Sequence, residues 1–437
     1  MAARVLVLGM GRSGCAAARL MVREGSHVTG YDRDPSAGAC LRLPPELFTR
    51  VSGATPPEPS RFDQLVASPG FPVPRDSRAI PEIDVAADHL RAPLIAVTGT
   101  NGKSTVTTLI SEMLRASGLG VAVGGNLGTP LSALVDDDAD RVVAEVSSFQ
   151  LERARRLHPD VAVLLNLAPD HLDRHGTLAA YAAAKARLAS LQTAADTRVV
   201  NLDDRWAAEV EGPGRRLGFT LEAPPSGDGA GIEGGELVVR LGGAERLRLS
   251  LEALAPAARI HLHNALAAAL AALVAGAAPS GVAETLESFA GLEHRGTEVC
   301  SRAGVRYVDD SKATNPSAAA ASVRAQRGPV IWLLGGQNKD LAFETLRAAA
   351  RAARLAICFG NAAAEIAAAL RGAVPVTEVD RLEAAVQCAH ERARAGDVVL
   401  LAPGCASFDA FASYAERGER FAALACALPG PAKGDPA

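Results

Sequence analysis

Short apolar runs that stop at Gly, Asp or Ser recur along this chain, and longer Ala/Leu/Arg-rich stretches of helical period lie between them. The runs include "RVLVLG", "HVTGYD", "QLVAS", "PLIAVTG", "RVVAEVS", "VAVLLNL", "PVIWLLGG", "RLAICFG" and "DVVLLAPG". Short runs of this kind, bounded by turn residues, are buried strands. Parallel strands need long crossovers, and helices supply them while covering the sheet. The alternation therefore predicts an α/β chain built of βαβ units. At 437 residues the chain exceeds one ordinary core, and about three domains are expected. Breaks near Leu90–Pro93 and Gly291–His294 give the expected domains 1–92, 93–291 and 292–437. Within the middle one, "ELVVRLGGAERLRLS" reads as a hairpin about Gly242-Gly243. The tail "LPGPAKGDPA" is expected to fray.

Two glycine loops compete to define the chemistry. In "RVLVLGMGRSG", Gly9, Gly11 and Gly14 fit G-x-G-x-x-G, and Asp32 ends the next apolar run. Alone, that reads as a dinucleotide turn with an acidic ribose clamp, the mark of a nicotinamide enzyme. The second loop, Gly99-Thr100-Asn101-Gly102-Lys103-Ser104-Thr105, lies between an apolar strand and an amphipathic helix. Backbone N–H groups at such a helix start cradle phosphate oxygens, a lysine adds a point charge, and a serine hydroxyl can ligate Mg²⁺. Val97 stands where the full phosphate-loop pattern has its first glycine. This loop points to ATP.

Further candidates sit at other strand ends. Glu145 interrupts "RVVAEVS" where a parallel sheet meets its ligand edge, and a buried carboxylate there is costly unless paired or coordinating. Asp170, His171 and Asp173 follow "VAVLLNL" and read either as a capped loop or as ligands. Lys185, in "YAAAKARL", reads by itself as a solvated helix lysine.

Composition removes several classes. Aromatics are 4% of the chain and the net charge is −4, so the stacking platforms and basic stripe of a nucleic-acid binder are missing. No apolar run reaches the ~18 residues of a membrane span. The start lacks the basic segment and small-residue cleavage site of a signal peptide. Seven scattered cysteines without a C-x-x-C pair point to reduced thiols in a cytoplasm, with Cys358 and Cys405 as small buried hydrophobes.

GTNGKST together with "EVSSFQLE", "NLAPDHLDRH" and "YAAAKARL" resembles the Mur ligase family, cytoplasmic ATP-dependent amide-forming enzymes of bacterial peptidoglycan synthesis. The resemblance extends from Val5 to Phe421. "DDSKATNP" (Asp309–Pro316), "LLGGQNKD" (Leu333–Asp340) and "APGCASFDAF" (Ala402–Phe411) resemble the branch that adds D-glutamate to UDP-N-acetylmuramoyl-L-alanine. The implied fold has an N-terminal Rossmann-like domain, a central P-loop-type ATPase α/β domain carrying the hairpin, and a C-terminal Rossmann-like domain that closes over ATP. The implied reaction phosphorylates the alanyl carboxylate and then aminolyses the acyl phosphate.

Residue roles follow from the same resemblance. Lys103 neutralises the β/γ-phosphates, Ser104 and Glu145 hold one Mg²⁺, and His171 ligates a second. Lys185 is implied to carry a CO₂-derived carbamate that could orient a metal or the γ-phosphate. Asn264 lies near the adenine, Arg295 contacts phosphate, and Asp310 and Lys312 contact ribose and phosphate. Thr314, Lys339, Ser407 and Tyr414 receive D-glutamate. The UDP-sugar falls to Arg12, Ser13, Asp32, Arg33, Ser68 and Gly70, with Asn126 and Gln150 near the sugar and its alanyl group. The chain departs from the family pattern at Arg33-Asp34 and at Ile260-His261, where the uracil and adenine contacts are concerned. A monomer is expected. The rival readings are a sister ligase of different amino acid specificity, an NAD-dependent dehydrogenase and a regulatory P-loop NTPase.

Overall fold

The computed structural model describes residues 2–74, 77–126 and 128–429, and its strands form three sheets. Residues 430–437 of the expected frayed tail lie outside the described residues. The first sheet has five parallel strands, in spatial order Phe48–Ser52, His27–Asp32, Arg4–Leu8, Gln64–Ala67 and Ile80–Pro81. Its central strand is fully apolar inside: Val5, Leu6 and Val7 are 0% exposed. That is the burial a strand covered on both faces requires.

The second sheet has nine strands. Parallel strands Arg215–Phe219, Thr197–Asn201, Val161–Leu164, Leu94–Thr98, Arg141–Glu145 and Val121–Gly125 form most of it. Gly229–Glu233 extends it, and Glu236–Leu241 and Ala244–Ser250 close that edge in antiparallel pairing. The expected hairpin turn is there: Gly242 and Gly243 both have positive φ, 65° and 74°, as a two-residue turn matching strand twist demands. The third sheet runs Thr297–Arg302, Val305–Asp309, Val398–Gly404, Val330–Gly335, Ala353–Phe359 and Val376–Glu378. Only its first pair is antiparallel.

By backbone proximity the chain forms two compact units. One runs to Leu167 and resumes at Ala179–Phe289, so it contains the first two sheets; the other takes Ala168–Leu178 and the described chain from Ala290 onward. In the first unit, helix Leu262–Val274 has Ala265 through Ala272 at 0% exposure. Its small side chains let it lie close against helix Lys103–Ala116, which brings Asn264 to the phosphate-type loop. No described helix is long and apolar enough to cross a membrane. All seven cysteines are free, and burial pushes the Cys358 and Cys405 thiols up to about 12, which keeps them protonated and unreactive.

The two sheets of the first unit are joined by buried carboxylates. Asp84 accepts the N–H groups of Arg155, Arg156 and Leu157. Glu82, 1% exposed, accepts from the Ser132 N–H through Oε1, while its Oε2 has no partner. Burial raises the Glu82 carboxyl against the opposing effect of Ser132. A carboxyl raised in the folded state stabilises the fold while protonated, and that contribution is lost as pH rises through the folded pKa. Glu82→Gln is therefore expected to stabilise the protein by about 1–3 kcal/mol at alkaline pH, with the gain vanishing in mild acid. Denaturant melts across that range check it; an unchanged alkaline midpoint counts against it.

Candidate active site

The first glycine turn forms one wall of an open cleft of ≈ 440 Å³. Close packing dictates its glycines: a Cβ on Gly14 would lie 1.9 Å from the Gly9 carbonyl oxygen. Ser68 Oγ donates to that same oxygen (2.6 Å), tying the loop after Ala67 to the turn. Asp32 accepts the Met10 N–H through Oδ2 (2.7 Å) and the Asp34 N–H through Oδ1 (3.1 Å), so its carboxylate braces the turn as well as lining the cleft. Arg12, Ser13, Asp32, Ser68 and Gly70 face Asn126, Gly128 and Gln150 across the opening. Arg12 Nη1 reaches the Gly128 carbonyl (3.3 Å). Gln150, 1% exposed, is fixed by a reciprocal cap with Ser147. Arg33 is exposed and is not among the residues that line the cleft.

The second loop carries strand Leu94–Thr98 into helix Lys103–Ala116. Gly102 caps that helix in the left-handed region (φ 86°) without a side-chain hydrogen bond, and a Cβ there would meet Asn264 Oδ1 at 2.4 Å. The helix start thus presents its N–H groups in the manner of an anion site. Lys103 Nζ donates to the carbonyls of Gly99 and Thr100, each at 2.9 Å. Ser104 Oγ donates to Glu145 Oε2 (2.5 Å), and Asn126 Nδ2 donates to Glu145 Oε1 (2.7 Å). Glu145 is 3% exposed, and Ser104 and Thr105 are buried.

Lys185 is not the solvated helix lysine its local sequence suggests. It is 1% exposed, donates to the Gly99 carbonyl (2.6 Å), and lies 4.6 Å from the centre of the Tyr181 ring. Tyr181 in turn is 3.3 Å from the Thr100 hydroxyl. Of the expected metal ligands, Ser104 and Glu145 touch and Lys185 lies on the Gly99 carbonyl, all in the first unit; His171 is in the second. Among the described residues no cluster of three or more His, Cys, Asp or Glu could hold a metal ion. The Ser104 hydroxyl and Glu145 carboxylate nonetheless form the hard oxygen pair that Mg²⁺ accepts alongside phosphate and water.

In the second unit, Asp170 is 5% exposed and gathers several candidates. It accepts from Lys339 Nζ (3.2 Å), Asn315 Nδ2 (3.1 Å) and the His171 N–H (2.9 Å). Burial works to raise its carboxyl, but Lys339, His171 and Asn315 outweigh that and hold it below the usual range. His171 itself takes a left-handed backbone, φ 53°. Burial pushes the Asp310 carboxyl up to about 6, against the Ser322 hydrogen bond and nearby Arg295. Lys312 Nζ sits 3.8 Å over the Tyr414 ring. Ser407 is 2% exposed, and Thr314 is half-buried with its N–H on the Lys312 carbonyl.

Sequence reasoning missed the residues that brace these motifs. Arg417, 0% exposed, hydrogen-bonds Ser311 in "DDSKATNP", Gly335 in "LLGGQNKD" and Cys405 and Ala406 in "APGCASFDAF". His294 Nδ1 lies 2.6 Å from Asp309 Oδ2 beside the predicted Arg295. Asn166 contacts the phosphate-type loop. The only signal for Arg417 was its place three residues after Tyr414 on one helix.

Comparison with known proteins bears on the whole chain. Residues 97–225 match the Mur ligase middle domain, and residues 294–405 match the Mur ligase, glutamate ligase domain. A protein of Pelotomaculum thermopropionicum named UDP-N-acetylmuramoylalanine–D-glutamate ligase is 39% identical, covering 97% of this chain and 98% of its own. A protein of the same name from Desulfosudis oleivorans is 40% identical, covering 96% and 95%. Among solved structures, the MurF ligase of Thermotoga maritima in complex with ADP shares the fold at a TM-score of 0.62 and 18% identity, covering 97% of this chain and 94% of that one. With full-length relatives near 40% identity and two matching domains, the chain belongs to the Mur ligase family.

Proposed function

We propose that the chain joins D-glutamate to UDP-N-acetylmuramoyl-L-alanine at the expense of ATP, releasing ADP and phosphate. The name shared by its relatives at 37–41% identity supports this. Glu145 is the observation that carries it. One oxygen accepts from Asn126 on the cleft wall and the other from Ser104 at the phosphate loop. A sugar-nucleotide cleft and a phosphate cradle therefore meet at one carboxylate. With the diphosphate at Arg12 and Ser13, the alanyl carboxylate falls at Asn126 and Gln150. The γ-phosphoryl group then forms a P–O bond to that carboxylate as its bond to ADP breaks. The D-glutamate amine attacks the acyl carbon, phosphate leaves with the bonding pair, and the nitrogen loses a proton.

Positioning and charge neutralisation dominate such a transfer. Lys103 supplies the cation for the β/γ-phosphates. Ser104 and Glu145 would hold Mg²⁺, which neutralises phosphate charge when bound, and His171 is the candidate for a second ion. Asn264 serves the adenine; Arg295, Asp310 and Lys312 serve phosphate and ribose. Thr314, Lys339, Ser407 and Tyr414 receive the two carboxylates of D-glutamate. Lys185 carries a carbamate, formed when its neutral amine adds to CO₂ and loses a proton. Burial favours the neutral amine in general, and Lys185 is 1% exposed. Enzyme equilibrated with ¹³C-bicarbonate should show one carbamate carbon signal that Lys185→Met lacks; no such signal in active enzyme defeats the assignment. The reading includes domains 1–92, 93–291 and 292–437, a monomer, and a cytoplasmic setting.

One assay separates the alternatives: phosphate release from ATP and Mg²⁺ with UDP-N-acetylmuramoyl-L-alanine across a panel of amino acids. The expected result is dependence on D-glutamate, with L-glutamate and L-alanine near background. Equal rates with a diamino acid would assign a sister ligase instead. Hydrolysis indifferent to every amino acid would leave a regulatory NTPase, and tight NAD(H) binding with no UDP-sugar effect would restore the nicotinamide reading.

A further inference from the structure

We propose that Asn166 is a positioning residue for the nucleotide: its side chain fixes the two loop carbonyls on which Lys103 and Lys185 are held. The inference rests on the reading that this loop receives the phosphates of ATP. Strands Leu94–Thr98 and Val161–Leu164 are paired in parallel with Thr98 opposite Leu164. Backbone pairing continues past the strand ends, with the Leu165 N–H on the Thr98 carbonyl (3.1 Å) and the Thr100 N–H on the Asn166 carbonyl (2.9 Å). There a side chain takes over from the backbone. Asn166 Oδ1 accepts the Asn101 N–H (2.9 Å), and Asn166 Nδ2 donates to the Asn101 carbonyl (3.1 Å). The carboxamide acts as one more peptide unit in the ladder. The two contacts also fix its orientation, since exchanging its O and N would oppose donor to donor and acceptor to acceptor.

The braced stretch holds the acceptors that matter. The Gly99 carbonyl receives Lys103 Nζ at 2.9 Å and Lys185 Nζ at 2.6 Å, and the Thr100 carbonyl receives Lys103 at 2.9 Å. Gly99 has φ 154°, and a Cβ there would be 2.9 Å from Leu165 Cβ, so the loop is pressed against the same extension that carries Asn166. Two amines converge on one carbonyl, and that arrangement depends on the carbonyl staying put. Without the Asn166 carboxamide, residues 99–101 lose two hydrogen bonds to the extension that carries Asn166. Ordering them then becomes part of the cost of nucleotide binding. None of residues 99–101 lines the sugar-nucleotide cleft, which makes sugar-nucleotide affinity an internal control.

The test uses the full-length protein and its Asn166→Ala and Asn166→Ser variants. Calorimetry measures Mg²⁺·ADP and, separately, UDP-N-acetylmuramoyl-L-alanine; steady-state assays give KM and kcat. Asn166→Ala should weaken Mg²⁺·ADP binding and raise KM for ATP by about tenfold. Its kcat should change less than about threefold and its UDP-sugar affinity should stay at the wild-type value. Asn166→Ser, which keeps an acceptor for the Asn101 N–H, should fall between, and it carries the test should the alanine variant not fold. Unchanged nucleotide affinity overturns the inference, as does an equal loss for both ligands, the sign of general loosening. A wild type that binds the UDP-sugar but no adenine nucleotide would instead overturn the ligase reading, and this inference with it.

Discussion

Lys185→Met is expected to lower kcat by about 10²–10³-fold while leaving the protein as stable as the wild type or more so. Methionine nearly matches the volume of the lysine stem and removes a polar group that is 1% exposed. Such a group costs desolvation free energy wherever its partners do not fully replace water. A residue kept at the expense of stability is kept for chemistry, so the two readouts should move apart. A second variant decides the form in which Lys185 acts. Lys185→Glu restores an anion near the position a carbamate would occupy. It should retain more activity than Lys185→Met if the carbamate is the working group, and less if the ammonium is. Thermal melts and kcat for all three proteins settle the matter. A methionine variant within about threefold of the wild-type kcat would falsify a catalytic role.

What could be read from sequence follows a physical line. The sheets were legible because parallel strands buried on both faces must be apolar runs, and the turn after each must use Gly, Asp or Ser. The cleft was legible because Ser68, Gly70 and Asn126 lie in loops at strand ends, and Gln150 in a short helix just past one, where ligands of α/β sheets bind. The bracing role of Asp32 was not legible, because its carboxylate is occupied with the backbone N–H groups of Met10 and Asp34, which carry no residue-type signal. The burial of Lys185 was invisible for a different reason. "YAAAKARL" has no strong apolar stripe to say which face turns inward; only the docking of Tyr181 on Thr100 settles it. Asn166 and Arg417 were missed because both act mainly on backbone atoms. Bonds to carbonyls and N–H groups leave no complementary residue type in the sequence to be noticed.

Arg417 should therefore yield the largest stability loss in the second unit. Its guanidinium is 0% exposed and donates to Ser311 Oγ (2.9 Å), the Ser311 carbonyl (2.9 Å), the Cys405 carbonyl (3.1 Å), the Ala406 carbonyl (3.2 Å) and, more weakly, the Gly335 carbonyl (3.4 Å). Burial lowers its pKa to about 10, which leaves it a cation at neutral pH. Arg417→Met keeps much of the volume but strips buried acceptors of their donor, at about 1–3 kcal/mol for each that finds no other. The Ala406 carbonyl also receives the Gln337 N–H, so it is not orphaned. A total loss of about 3–5 kcal/mol follows, a large share of the ~5–15 kcal/mol that holds an ordinary domain together. Arg417→Lys keeps the charge but not the planar fork, and should cost about half as much. The functional consequence is directional. Ser311 stands between Asp310 and Lys312 and donates to the Tyr414 carbonyl (2.8 Å), so loosening it would disturb the proposed nucleotide and D-glutamate contacts together. Arg417→Lys should raise KM for both ATP and D-glutamate by about tenfold while UDP-sugar affinity, whose proposed residues lie in the other unit, stays unchanged. Chemical denaturation, three-substrate kinetics and UDP-sugar titration check it. An Arg417→Met protein within about 1 kcal/mol of wild type would mean that these motif loops hold their shape without the arginine.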